Sequence, residues 1–505
     1  MREENIRIIF GLKLRQLRRE RNISLAELSK LSGMSSSYLN EIEKGKKKPK
    51  AEKIATLAQV FNVSYDDMVS LQLSKNLAPL GDLLMTNILN DIPLEVFGLN
   101  FNHLVDLMRN APAKVGAFFK TIIEISRNYD LQKEYFYFAT LRSFQEINNN
   151  YFQEIENIAF NWLDENELTQ KLTIETDLLK KQLLQQYNYN IEEFNLATNP
   201  SLNEVRSFYI DDEQATLMLH PKLSNWQKRY ILARELGYKA LGIESENRSH
   251  MPLLLKAPNF EMVLNNFKAS YFAAAIIMPE THFVMALKKL FRKTTWDNQA
   301  FLQMMEPYGV SPEIFLLRMT NLMQQHFGLK QIFFLRFQSK IGSNKYQLTR
   351  ELHLGHQHSP HANENYRHYC RRWPSLRLLK SINKGVKNNT PIIDAQISNY
   401  LDTGEQYFSI ALARPMSPIP DNNVSVSIGW LINEKTKEQM AFLNDPDLQH
   451  FDVNNTCESC YLKNCNDRAV DASLLEKSNL KKEIRNTIKE IIEKRQAIKL
   501  DKQVV

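Results

Sequence analysis

The sequence predicts a multidomain protein, mainly α with a C-terminal α+β part, and three observations carry that expectation. Apolar residues recur at three- and four-residue spacing through much of the first two thirds of the chain, the period of amphipathic helices. After Phe327-Gly328-Leu329 the pattern changes to short β-branched and aromatic runs split by Gly, Asn and Pro, as strands require. A chain of 505 residues holds three or four domains at ~150 residues each, and its 15 glycines are few enough to leave helix dominant. The expected division is 1–72 as a helix-turn-helix domain, 73–199 as a helical spacer, and 200–326 as a second helical domain. A sensor-type sheet domain at 327–450 and a cysteine cluster with a closing helix at 451–505 complete it.

The front of the chain is the most specific part. Ser24 opens a short helix as an N-cap, with Leu25 and Leu28 on its apolar face. Gly33 sits where a tight interhelical turn needs positive φ. A second helix opens with Ser35, Ser36 and Ser37, turns Tyr38, Leu39 and Ile42 inward, and stops at Gly45 before Lys46, Lys47 and Lys48. This describes a helix-turn-helix, whose second helix enters a major groove. The unit resembles the XRE (lambda-repressor-like) five-helix domain over about residues 6–70, with helices at Ile6–Glu20, Ala51–Phe61 and Ser64–Ser70 around it. That resemblance implies a double-stranded DNA operator, with Ser35, Ser36, Ser37 and Asn40 at base edges. It puts Arg15, Lys44, Lys46 and Lys47 on phosphate. A basic run alone is more often a solvated face; the helix pattern around it is what tips the balance to DNA.

Composition narrows the partners. The net charge of +7 is gathered in Arg15–Arg21 and Lys44–Lys53, which suits nucleic acid better than an acidic substrate. The charged start MREENIR has no apolar stretch behind it, so no signal peptide is expected. No apolar run reaches the roughly 18 residues of a membrane span. A cytoplasmic protein without a membrane partner is the expectation.

From Ala78 to Asn166 the pattern is helical, with Phe118, Ile122, Ile125 and Tyr129, then Ile147, Tyr151, Ile155, Ile158 and Trp162, on helical faces. Such a spacer suits dimerisation, because helix-turn-helix proteins commonly pair over two half-sites. A second amphipathic stretch, Leu168–Phe194, leads to Pro200 and a new domain. There, Asn225–Gly242 (NWQKRYILARELGYKALG) and Phe267–Glu280 (FKASYFAAAIIMPE) resemble the two motifs of the ImmA/IrrE-like zinc-peptidase family over about residues 200–325. Active members carry H-E-x-x-H; here the five positions read Arg234, Glu235, Leu236, Gly237 and Tyr238, and the third ligand falls at Lys268. Arginine cannot shed its proton to bind zinc. The expectation is a degenerate zincin-like fold without its metal, no catalytic residue, and Glu235 paired with Arg234 or Lys268. The alternative is a metallopeptidase that cleaves a repressor.

In the last third, strands are expected at Gln331–Phe337, Tyr346–Leu354, Thr390–Gln396, Gln406–Ala413 and Val424–Leu431, with a helix from Asn363 to Asn383 across the sheet. One sheet with helices on a side suggests a GAF- or PAS-like sensor. Then comes Cys457-x2-Cys460-x4-Cys465, with Cys370 the chain's one other cysteine. Thiols so close suit one soft metal or cluster, with Cys370 the expected fourth ligand, and the spacing does not choose between zinc and an iron–sulfur cluster. Arg371, Arg372 and Trp373 beside Cys370 offer cations and an apolar wall for a phosphate-bearing acyl ligand, although surface charge and a core tryptophan explain them equally well. A charged helix is expected from Ala472 to Lys499.

The order of parts, ending in C-x2-C-x4-C-x2-R-A at Arg468 and Ala469, resembles the short-chain fatty acyl transcriptional regulator family over nearly the full chain. That resemblance implies a regulator of short-chain acyl or propionate-type carbon metabolism with an acyl-CoA ligand in a GAF-like domain; with the pairing habit of helix-turn-helix proteins and the replaced metal ligands, the expectation is a homodimer that is no enzyme. It also implies a [4Fe–4S] cluster on the cysteines in at least some members.

Overall fold

The structure, a computed structural model, describes residues 3–70, 133–250, 259–355, 368–383, 391–418 and 421–501. The periodic residues Phe118–Tyr129, and with them most of the expected spacer, lie outside the described residues. The chain divides into two compact units, the first built on the N-terminal helices and the second on Thr140–Lys256 and Met262–Val505.

In the first unit, helices α1 (Glu3–Glu20), α2 (Leu25–Ser32), α3 (Ser36–Glu43), α4 (Ala51–Val60) and α5 (Tyr65–Val69) follow in order. Ser24 caps α2 in a reciprocal capping box with Glu27, and Gly33 ends it at φ 68°, a conformation that costs glycine little. Phe10, Leu14, Leu28, Leu39, Ile42, Leu57 and Phe61 meet in one core. Gly11 lets α1 cross α3 closely, since a Cβ there would lie 2.3 Å from the Ile42 carbonyl oxygen.

The second unit begins on helices α6 (Lys133–Ile147, from Thr140 on), α7 (Gln153–Glu165) and α8 (Thr176–Gln186). The helical pattern expected from Ala78 to Asn166, with breaks at Pro93 and Pro112, is also interrupted between α6 and α7, where Asn149 and Asn150 both take φ 54°. Asn150 is buried there, donating to Thr320 Oγ1 and accepting from Gln145. The stretch Leu168–Phe194 also divides, into α8 and strand β1 (Asn190–Glu193), because its apolar period fits a helix only over its middle. Strands β2 (Ser207–Ile210) and β3 (Thr216–Leu219) complete a three-stranded sheet in the order β1-β3-β2. Helices α9 (Asn225–Ala240), α10 (Phe260–Ile277, from Met262 on), α11 (Glu280–Phe291), α12 (Asn298–Met305) and α13 (Pro312–Phe327) follow.

Strands β4 (Ile332–Lys340), β5 (Gln347–Leu354), β6 (Ile392–Tyr400), β7 (Gln406–Pro415), β8 (Asn422–Leu431) and β9 (His450–Val453) form a second sheet, β5-β4-β8-β7-β6-β9. Its pairs are antiparallel except β6 with β9, a strand too short to stand out in the sequence. Helices cover both faces rather than one. Phe334, Phe408, Ile410, Ile428 and Trp430 join the core of α9–α13, which runs on without a break across residues 199/200 and 326/327. Phe333, Leu335, Phe337 and Tyr407 pack instead under α14 (Pro374–Asn383) through Leu376, Leu379 and Ile382. Residues 363–367 of the expected helix from Asn363 lie outside the described residues, and among the described ones the helix begins at Pro374. Pro374 is well placed at a first helical position and disfavours helix at Trp373, while Tyr369 bridges Thr456 instead. A short helix, α15 (Glu434–Gln439), and a long one, α16 (Ser473–Asp501), end the chain.

Candidate functional site

The helix α3 presents Ser36 and Ser37 exposed and Asn40 half-exposed, with Lys46, Lys47 and Lys48 exposed just beyond its end. The Ser35 hydroxyl accepts from the Tyr38 N–H at 3.2 Å and so caps the helix. Arg15 and Lys44 are half-buried. The basic segment Arg15–Arg21 divides by role. Arg18 forms a two-pronged pair with Glu43 of α3 at 2.6 and 3.0 Å, and Arg21 donates to the Val60 and Phe61 carbonyls. These two guanidiniums hold the helices at fixed angles. Lys53, not singled out by the motif, lies 4.1 Å over the Tyr38 ring beside the lysine run. The surface left is a cationic rim around a polar helix start, which suits phosphate and base-edge contact.

In the second unit Glu235 of α9 is held in a buried ion pair. Glu235 is 1% exposed, and its partner is Arg248 at 2.6 Å, not Lys268; Arg234 stands farther off at 3.8 Å. The Arg248 guanidinium lies between the Tyr209 and Tyr238 rings, 3.8 and 4.1 Å from their centroids, and donates to Tyr189 Oη at 3.2 Å. Burial works to lower the Arg248 pKa, but the Glu235 charge outweighs it and holds it above the usual arginine value. Gly237 permits the close α9–α10 contact, since a Cβ would sit 2.8 Å from the Ala269 carbonyl oxygen. Sequence reading missed Arg248 because it lies outside the helix, in the turn after a short 3-10 element.

Nearby, Glu313 at the start of α13 accepts from Arg336 at 3.1 Å and Arg350 at 3.2 Å. Burial pushes its carboxyl up, but Arg336, Arg350 and Arg206 outweigh that and hold it at about 2. Arg336 and Arg350 are directly opposite across β4 and β5, an arrangement that like charges avoid unless an anion bridges them. Burial lowers the Arg414 pKa to about 10, with Arg206 and Arg336 adding to it.

All four cysteines of the chain line one concavity of about 290 Å³, with Arg371, Arg372, Asp452, Asp467 and Arg468. The bridge between Tyr369 and Thr456 brings them together. Cys370 N–H donates to Asn455 O at 3.2 Å and Cys457 N–H to His368 O at 2.8 Å, so two segments far apart in the chain meet beside the last strand. Arg468 then holds the loop in shape, donating to the carbonyls of Cys457 at 3.0 Å, Cys460 at 3.3 Å and Leu462. The Ala469 N–H points at Cys457 Sγ at 3.5 Å. The Arg-Ala pair that closes the motif is thus part of the loop's frame. Burial pushes the Cys370 thiol up to about 12, and Cys457 and Cys460 add to this. Glu458 is raised by burial, yet the hydrogen bond from His368, 2.9 Å away, and its neighbours keep it below the usual carboxylate value. Four thiols on one concavity are the donor chemistry that zinc or an iron–sulfur cluster needs. Among the described residues, no group of three or more His, Cys, Asp or Glu is spaced to hold a metal ion as it stands.

The residues expected to meet a ligand divide between two places. Arg371 and Arg372 line the cysteine concavity, with Arg371 4.3 Å over the Tyr346 ring. Trp373 is 3% exposed, stacks on Tyr369, and lines a separate small pocket under α14 with Phe333, Leu335, Tyr400, Ser398, Ser409 and Ser427. Three serines facing an apolar core were missed, since alternation alone marks them as outward positions.

A helix-turn-helix family model matches residues 14–68, and an IrrE N-terminal-like domain model matches residues 193–320. The uncharacterized HTH-type transcriptional regulator y4dJ of Sinorhizobium fredii is 32% identical over 66 residues, 13% of this chain and 86% of that protein. The chain belongs to the HTH-type transcriptional regulators. A second such regulator, the uncharacterized RghRB of Bacillus subtilis, is 40% identical over 62 residues, 12% of this chain; the chain spans 45% of its length. A solved Mycobacterium tuberculosis transcriptional regulator is similar over 65% of this chain and 92% of its own, at 17% identity and a TM-score of 0.45, too distant to carry an assignment. The curated matches extend over 62 and 66 residues, about the length of a helix-turn-helix domain, and in this chain an IrrE N-terminal-like domain follows the helix-turn-helix in sequence. No single helix among the described residues is long and apolar enough to cross a membrane.

Proposed function

We propose that this regulator binds its operator as a homodimer under the control of its C-terminal third, in the service of short-chain acyl metabolism and without catalysing a reaction. The observation that carries the reading is that all four cysteines line one concavity. Cys370, Cys457, Cys460 and Cys465 would hold a [4Fe–4S] cluster, or a single zinc, and the group would supply redox sensitivity in the first case and rigidity in the second. The sheet is read as a GAF- or PAS-like sensor. Its pocket under α14, apolar with three serines, is read as the place of a short acyl chain, and Arg371 and Arg372, just before Trp373 in the chain, offer cations for the phosphates of an acyl-CoA. The IrrE-like part is read as a zincin-like scaffold in which the Glu235–Arg248 pair stands where a metal would be. For the ligand to change DNA binding it must favour one of two arrangements of the protein energetically.

Native mass spectrometry on protein purified without oxygen tests this directly. Mass increments of four irons and four sulfides, with a CoA thioester in addition, are expected on a dimer. A single zinc makes the cysteines structural and leaves sensing to the cavity. Apo protein with all thiols free overturns the cluster.

A further inference from the structure

Helix α16 is anchored on the cysteine loop and, among the described residues, exposed beyond it. The backbone N–H groups of Leu474 and Leu475 donate to the Glu458 carbonyl at 3.0 and 3.1 Å. From Glu476 to Glu493 every residue is exposed, including Leu480, Ile484, Ile488, Ile491 and Ile492, each with half or more of its surface in solvent. A solitary helix is marginal in water, because most helical stability comes from packing of an apolar face. Large aliphatics in a row along such a helix mark a pairing surface.

We propose that α16 pairs with α16 of a second copy of this chain as a parallel, two-stranded coiled coil. This rests on the homodimer reading above and assigns its surface. Leu480, Ile484, Thr487 and Ile491 follow one another at steps of four, three and four, the 3.5-residue average of a coiled-coil seam. Ile484 and Ile491 take the a positions and Leu480 a d position, the combination that favours two parallel strands. Charge selects the same geometry. Glu476, Glu483 and Glu490 occupy g positions, and Lys481 the e position five residues after Glu476, so a parallel pair sets Glu476 against Lys481 of its partner. An antiparallel pair would set glutamate against glutamate. The sequence repeats the rule once more, with Glu490 and Arg495 five apart and Ile498 seven beyond Ile491.

Length supports the assignment too. The 29 residues of α16 span about 44 Å, enough for two such helices to approach the roughly 1,200–2,000 Å² buried in a specific interface. A membrane surface suits it poorly. Lys481, Arg485 and Lys489 lie to one side of the apolar face, but its other flank, at the g positions, carries Glu476, Glu483 and Glu490, which an anionic lipid surface would repel.

The test uses the full-length protein. Sedimentation velocity over a concentration series gives the dimer dissociation constant for wild type and for I484E/I491E, with thermal melting to confirm that the rest of the fold is kept. The double variant should weaken the dimer at least 100-fold with the main melting transition unmoved. T487C, at a d position, should cross-link between chains under mild oxidation, which wild type should not do. A monomeric wild type overturns both the homodimer and this inference. A wild-type dimer that I484E/I491E leaves intact overturns the α16 assignment alone. Loss of the dimer in I484E/I491E without any T487C cross-link overturns the parallel geometry.

Discussion

Replacing Glu235 by Gln removes a charge and almost no volume, and the structure puts a magnitude on it. Arg248 is 3% exposed, held between two tyrosine rings, with Glu235 as its close carboxylate partner at 2.6 Å. Removing one member of a buried pair leaves the other charge uncompensated and costs about 3–5 kcal/mol. For a unit of this size that lowers the melting temperature by roughly 5–15 °C. Arg248→Met should cost a similar amount. Glu235→Leu with Arg248→Met should recover most of the loss, because a well-packed apolar pair often replaces a buried ion pair without penalty. Differential scanning calorimetry on the four proteins measures this. Glu235→Gln melting with wild type would refute the structural role. If it also abolished cleavage of a candidate repressor, Glu235 would be a catalytic base instead.

The remaining predictions concern DNA, pH and the cysteine loop. Lys47→Ala should weaken all DNA sites alike and reduce the slope of log K against log salt by about one, while Asn40→Ala should relax sequence choice; equal slopes for Lys47→Ala and wild type would remove Lys47 from the phosphate contacts. Glu313, held at about 2, contributes stability that is present above its unfolded pKa near 4.5 and lost as pH falls toward 2. The full shift sets a ceiling of about 3 kcal/mol on the pH-dependent gap between wild type and Glu313→Gln. Urea midpoints from pH 7 to pH 2 should show that gap closing, and a constant gap would contradict the three-arginine cause. Arg468→Ala frees the carbonyls of Cys457 and Cys460, a loss of about 1–3 kcal/mol. Reaction of the cysteines with a disulfide reagent should then quicken by roughly tenfold or more, and an unchanged rate would show that the arginine does not hold the loop.

The legible parts of this chain were those where a local rule is also the global one. Ser24, Gly33 and Gly45 set the limits of two short helices through capping and positive φ, and the structure uses them so. Five strands of the second sheet were visible as alternating runs because each had an apolar face to bury. That positions 234 and 238 carry arginine and tyrosine rather than histidine was equally visible, since ligand chemistry belongs to residue type. Contacts between distant segments were not. No pattern announces that Arg248 answers Glu235, or that Arg18 and Arg21 turn inward while the lysines after α3 stay outside. The meeting of Cys370 with Cys457 depends on the bridge from Tyr369 to Thr456, and the serine-lined cavity on which side of β6, β7 and β8 the helix α14 comes to rest. Sequence by itself determined the helix-turn-helix, the change from helix to strand in the last third and the chemistry its residues can offer. Which charges are paired, which thiols share a concavity and which face of the sheet is covered were decided by tertiary packing, because burial and proximity exist only after distant segments have met.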